Sequence, residues 1–197
     1  MKRDIAVIGG LALLCTLAGC RGSPPARFYT LASTAPPGQA QSAPTYSVLV
    51  GPVSLPAIVD RPQIVAYQGA NQVTLAEQSR WAEPLSSAVP RVIAGNLANL
   101  LVGAQVQAVS RSAPLEPDFR VMLDVQRFEP VLGREATIEV LWTVRAAKGK
   151  ATKTGRSLVR EPAAGGDYEA IVAAFDRSLA AVSGDIAAAI RGMASQG

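Results

Sequence analysis

FRVMLDVQ, residues 119–126, sets Phe119, Val121, Leu123 and Val125 against Arg120, Met122, Asp124 and Gln126 in strict alternation. A period of two places alternate side chains on opposite faces, so this stretch reads as a strand with one buried side. After a turn at Gly133 the pattern returns, with Ile138, Val140, Trp142 and Val144 on one face and Thr137, Glu139, Leu141, Thr143 and Arg145 on the other. Residues 152–159 follow a second turn at Lys148, Gly149 and Lys150 and complete an antiparallel meander. Its apolar face needs a cover.

Two segments can supply one. Beyond the chain breakers Gly165 and Gly166, Asp167 is a fair helix N-cap. Tyr168, Ile171, Val172, Phe175, Leu179, Val182, Ile186 and Ile190 then trace a stripe at helical spacing, with Glu169, Asp176, Arg177, Ser183 and Arg191 assigned to the opposite side. Leu85, Val89, Ile93, Leu97 and Leu101 recur every fourth residue and mark an earlier amphipathic helix. Pro84 suits its first turn, while Pro90 could kink it or delay its start. A strand with a bulge or edge position is expected in residues 46–55 (YSVLVGPVSL), where Gly51 and Pro52 interrupt a β-branched run. Residues 64–67 and 72–75 flank the turn-rich tetrad Gln68, Gly69, Ala70 and Asn71 and suggest a small hairpin, and residues 105–109 a further short strand. The fold class predicted is α+β, a two-layer sandwich in which two amphipathic helices cover an antiparallel or mixed sheet. No solenoid repeat is visible.

The amino terminus has a different composition. Lys2 and Arg3 precede an apolar run over residues 5–17 that is too short to span a bilayer, and the string LAGC closes it at Cys20. This is the pattern of a lipoprotein signal peptide, residues 1–19, cleaved so that an acylated Cys20 becomes the first residue. Two or more acyl chains suffice for stable membrane anchoring where one is marginal. Residues 20–45 then read as a lipidated tether: Pro24 and Pro25 stiffen it, RFYTL (27–31) interrupts it, and STAPPGQAQSAP (33–44) is too poor in large apolar groups to pack. The folded domain is expected over residues 46–193.

Composition restricts the function. The chain has 197 residues and a formal net charge of +4, and its cations are spread out, without the clustered stripe that nucleic-acid binding requires. Of the two cysteines, Cys15 leaves with the signal and Cys20 is consumed by lipid, so no thiol remains for a disulfide or a metal. Histidine is absent, which removes the commonest general base and metal ligand. There is no GxSxG elbow, phosphate loop or metal spacing. Asp118, Asp124 and Glu129 are near in sequence, yet alternation points Asp124 to solvent. The expectation is a non-enzyme with no cofactor beyond the covalent lipid on Cys20, no bound metal and no nucleic-acid partner.

Two stretches carry more specific information: VGPVSLPAIVDRPQIV (50–65) and RWAEPLSSAVPRVIAGNLANLL (80–101). With RFYTL and the lipobox they resemble the ABC-type transport auxiliary lipoproteins, the family of paraquat-inducible protein C. Asp60, Arg61 and Pro62, and Arg80 through Pro84, are not generic folding signals. The resemblance implies a periplasm-facing domain, normally anchored in the outer membrane, that serves a lipid-transport system of the mammalian-cell-entry type and supports membrane integrity. Its implied partners are the tunnel protein of mammalian-cell-entry domains and the inner-membrane permease and ATPase. Some relatives form rings, so a homo-oligomeric ring is a further expectation. Arg21, and not Asp, follows Cys20, so the usual inner-membrane retention signal of enteric bacteria is missing. A structural or regulatory lipoprotein that tethers or activates a cell-wall synthesis complex is the alternative.

Asp60, Arg61, Arg80, Trp81 and Glu83 are the candidate partner-binding residues. Asp60 and Arg61 either pair across a loop that Pro56 and Pro62 restrict, or face a partner. Trp81 beside Arg80 has the composition enriched at protein interfaces. The competing account, which the residues favour, packs Trp81 on the sheet as an apolar lid and lets Glu83 complement the helix N-terminus.

Overall fold

The computed structural model describes residues 24–38, 46–109, 116–147 and 151–195. The expected signal peptide, the acylated Cys20, residues 21–23 and 39–45 of the expected tether and the expected turn at Lys148, Gly149 and Lys150 lie outside them. In chain order the elements are β1 (Arg27–Tyr29), β2 (Ser47–Ser54), β3 (Gln63–Tyr67), β4 (Val73–Trp81), α1 (Leu85–Leu100), β5 (Gln105–Ala108), β6 (Phe119–Val131), β7 (Glu135–Ala146), β8 (Thr152–Pro162) and α2 (Tyr168–Ala194).

The meander forms as expected, and β6, β7 and β8 pair antiparallel. β2 extends it on the other side, parallel to both β6 and β5, so the five-stranded sheet is mixed with order β5-β2-β6-β7-β8. The interruption in β2 is a bulge within a central strand: its register against β6 shifts between Val50 and Val53. Gly51 has φ +120°, and a Cβ there would lie 2.9 Å from the Val109 side chain, so only glycine suits the position. A smaller three-stranded sheet has order β1-β4-β3, with β3 antiparallel and β1 parallel to β4.

Both helices lie where the stripes predict. α1 packs over β2 and β5, α2 over β7 and β8, and the two pack against each other. Leu85, Val89, Ile93, Leu97 and Leu101 are all buried, as are Ile171, Phe175, Leu179, Val182, Ile186 and Ile190. Pro84 is the N-cap of α1, and its carbonyl accepts from the amides of Ser87 and Ala88; the helix runs through Pro90 without a break. Asp167 caps α2 by accepting from the Ala170 amide at 2.8 Å. A ring column crosses the core: Phe128 of β6 stacks on Phe175 of α2 with centroids 3.8 Å apart, and Trp81 of β4 meets Phe128 edge-on. At the other end, the Trp142 indole lies over Gly155 on β8, where a Cβ would approach it to 2.1 Å, and its Nε1 donates to Ser157 Oγ.

Two expectations need correction. Residues 33–44 were expected to be a flexible stretch too poor in apolar groups to pack, but the described part of them belongs to a strap, residues 30–38, that is tied to both helices. Asn96 Oδ1 accepts the amides of Thr34 and Ala35, each at 2.9 Å, and Asp176 Oδ1 accepts that of Ala32 at 2.9 Å. Ser33 Oγ donates to the Val92 carbonyl, Asn99 Nδ2 to that of Ala35, and the Gly38 amide to that of Asn99. Leu31 and Ala35 are buried beneath the strap. A segment poor in bulk is thus ordered by hydrogen bonds to side chains sixty or more residues away, which composition does not reveal.

The second correction concerns α2, whose Asp176 and Ser183 were assigned to the outer side. Both are buried, because α2 contacts α1 and the strap as well as the sheet. Ser183 returns its hydroxyl to the Leu179 carbonyl one turn back. Burial pushes the Asp176 carboxyl above its usual range, against the opposing pull of the Ala32 amide and of Arg177 and Arg91.

Candidate functional site

The candidate residues gather where the small sheet meets the start of α1. β4 ends on alternating Ser79, Arg80 and Trp81, with Ser79 and Trp81 inward. Trp81 is 7% exposed, in accordance with its reading as a core side chain. Its amide donates to the Pro62 carbonyl at 2.7 Å, and the Ala82 amide to that of Tyr29 at 2.8 Å. These bonds draw the 56–62 turn and the end of β1 to the end of β4.

The turn is shaped by its own backbone. Val59 and Asp60 donate to the Pro56 carbonyl, Arg61 donates to that of Val59, and the buried Val59 side chain anchors the turn to the core. Asp60 and Arg61 are both exposed, and no ion pair joins them among the described residues. The expected stabilising pair across the loop is therefore not formed; the neighbouring charges project outward instead.

Glu83 also departs from expectation. Its carboxylate is taken by Arg91, two turns into α1, and by the Thr30 hydroxyl, while the first turn of α1 has no acidic residue and its N-cap no side-chain bond. Arg91 Nη2 donates at 3.0 Å to the Leu31 carbonyl as well, so Glu83 and Arg91 fasten the beginning of the strap to the helix.

Asp60, Arg61, Pro62, Trp81, Ala82, Glu83, Pro84 and Ser86 together line an open cleft of about 450 Å³. Four of the five candidate residues converge there. Arg80 does not: it lies on the opposite face of the small sheet, with its Nε donating to the Glu77 carbonyl. Ser86 and Arg91 were missed by sequence reasoning; the 83–91 spacing is too long for a local helix pair. Among the described residues, the cleft offers a carboxylate and a guanidinium in no ion pair, together with a hydroxyl and Trp81, a set suited to binding a polar chain.

The remaining carboxylates are dispersed. Asp118 accepts from the Ser47 amide and hydroxyl, each at 2.9 Å, and closes the bond between β2 and β6. Asp124 is exposed, and Glu129 pairs with Arg127 at 2.5 Å. Among the described residues, no group of three or more metal-ligating side chains is present. No helix among them is long and apolar enough to cross a membrane. A second opening, of about 670 Å³, is lined by Glu116, Arg120, Arg145 and Thr152 and contains none of the candidate residues.

Known proteins share this architecture. A crystal structure of an uncharacterized protein superposes with a TM-score of 0.70 at 17% identity, over 85% of this chain and 99% of that one. Protein XCC0632 from Xanthomonas campestris, assigned to family DUF330, gives a TM-score of 0.65 at 21% identity, over 81% and 92%. At these identities the likeness is one of fold. No curated protein matches the chain. The family described as ABC-type transport auxiliary lipoprotein component matches residues 29–187, a span that starts within β1 and takes in the strap, both sheets, the cleft and most of α2. The chain belongs to that family.

Proposed function

We propose that this protein is a non-catalytic, outer-membrane lipoprotein, held by acyl chains on Cys20 and facing the periplasm, that serves as the accessory subunit of an envelope-spanning lipid transporter. Its partners in this reading are a tunnel of mammalian-cell-entry domains and the permease and ATPase of the same system, and it contributes to membrane integrity. The family match over residues 29–187 carries the reading, because it supports a role beside an ABC-type transporter. The cleft adds a docking surface: Asp60 and Arg61 are exposed and, among the described residues, in no ion pair, on a turn whose backbone is already fixed. Fixed charges of both signs favour register and specificity over raw affinity. A ring of several copies would supply a lipid path larger than one small domain can enclose.

Copurification from native membranes tests this. Tunnel and permease subunits should accompany the wild-type protein and be lost from an Asp60→Ala, Arg61→Ala double variant that still folds. Recovery of peptidoglycan synthases in their place would replace the transport reading with one of cell-wall assembly. Mass spectrometry of the native amino terminus should find Cys20 acylated, and a bare cysteine would remove the anchor.

A further inference from the structure

At β1 and the end of β4, one face of the small sheet has no cover among the described residues, whereas β3, with Ile64, Val65 and Ala66 all buried, is covered on both faces. Register sets Phe28 of β1, Arg80 of β4 and Gln63 of β3 side by side, and alternation turns them away from the core side on which Trp81 is buried. Phe28 is 65% exposed, more than any other exposed large apolar side chain of the described residues. Gln78 is exposed nearby on β4. A ring held in water next to a guanidinium matches the bilayer boundary, where apolar groups enter the acyl margin and cations meet lipid phosphates.

Chain length identifies the occupant. Phe28 follows Cys20 by eight residues, a reach of at most about 28 Å even when fully extended. Residues 24–26, which precede β1, are all exposed, so none of that described stretch is taken up by packing, and Pro24 and Pro25 limit how it can fold back. Arg21 adds a further cation next to the anchor point. β1 is also the element nearest in sequence to Cys20, so an anchored chain brings this face to the leaflet before any other.

We infer that the outer face of β1 and the end of β4, centred on Phe28 and Arg80, is seated on the lipid surface that holds the anchor, with Phe28 in the headgroup boundary and Arg80 on lipid phosphates. The inference rests on the proposed acylation of Cys20 and adds to it an orientation: the β1 edge of the small sheet lies against the bilayer.

The test uses the mature acylated protein carrying Phe28→Trp, reconstituted in phosphatidylethanolamine and phosphatidylglycerol vesicles with or without brominated acyl chains. Trp81 and Trp142 are both 7% exposed and contribute a background that the wild-type protein measures. The variant should melt with the wild type, and the position-28 indole should shift to the blue and lose most of its emission to the brominated chains. Adding Arg80→Glu should restore emission, since like charge repels the anionic surface. If the variant floats with the vesicles but is quenched no more than the wild type, the orientation is wrong and the anchor stands. A blue shift that appears without lipid, together with a larger mass, assigns the face to a second copy and overturns the inference. A protein that does not float overturns the anchor itself.

Discussion

The ring column and the strap hold their surroundings by opposite means. Phe128, Phe175 and Trp81 join β6, α2 and β4 through apolar contact, and no polar group is needed between them. The strap over residues 30–38 buries little beyond Leu31 and Ala35 and is held by Asn96, Asp176, Asn99 and Arg91 through hydrogen bonds. Apolar burial scales with area and resists gradual change, whereas a bonded strap depends on a few atoms that must all be present. One region sets whether the domain folds; the other sets how the amino terminus is attached to it.

Truncating Phe175 to alanine should cost about 3–5 kcal/mol in denaturant unfolding, because the cavity left under α2 cannot close. A cost below about 1 kcal/mol, the level of surface changes, would mean that the column is not the centre of the core. Asn96→Leu fills a similar volume but removes the acceptor for two strap amides. It should cost about 1–3 kcal/mol, read as lost hydrogen-exchange protection at residues 34 and 35 while the sheet amides stay protected. Because Asn96 Nδ2 is itself buried without a partner, part of the loss is offset by removing that donor. Global loss of protection would instead show that the strap and core form one cooperative unit.

The third contrast is one of pH. Burial raises the Asp176 carboxyl above its usual range, so the folded state holds this proton more tightly than the unfolded chain does. Its contribution to stability is therefore greatest below the ordinary carboxylate pKa and declines as pH rises through the higher folded value. Asp176→Asn keeps an acceptor for Ala32 without the charge. Its stability relative to wild type should increase from acid to neutral pH, and a difference that is flat with pH would show that Asp176 is not desolvated. The smallest stability effect is expected at the cleft, where Asp60→Ala and Arg61→Ala should each change unfolding by less than about 0.5 kcal/mol. A larger loss would make these charges structural and weaken the case for docking.

What could be read in advance follows the same division. The meander, both helix stripes and the 167 cap were legible because period and cap chemistry are local, and the structure places them as expected. The strap was not, because the groups that order it come from α1 and α2, distant in sequence from residues chosen for small size. The second half of β4 was hidden for a related reason. Ala76 to Arg80 lack clear alternation, and the pairing of Ser79 to Trp81 with β1 depends on a segment that reads as tether. At the cleft, Trp81 was correctly assigned to the core, and four candidates were brought together through backbone bonds no spacing rule displays. The idea that neighbouring opposite charges pair with each other failed at Asp60 and Arg61 because the turn aims both side chains outward.

The parallel pairing of β1 with β4 has a mechanical consequence. Traction applied at the amino terminus loads a three-residue strand first, and beyond it the Glu83–Arg91 fastening at the head of α1. β1 and that fastening bear the first load, so such traction would peel the leading segment before it reached the five-stranded sheet.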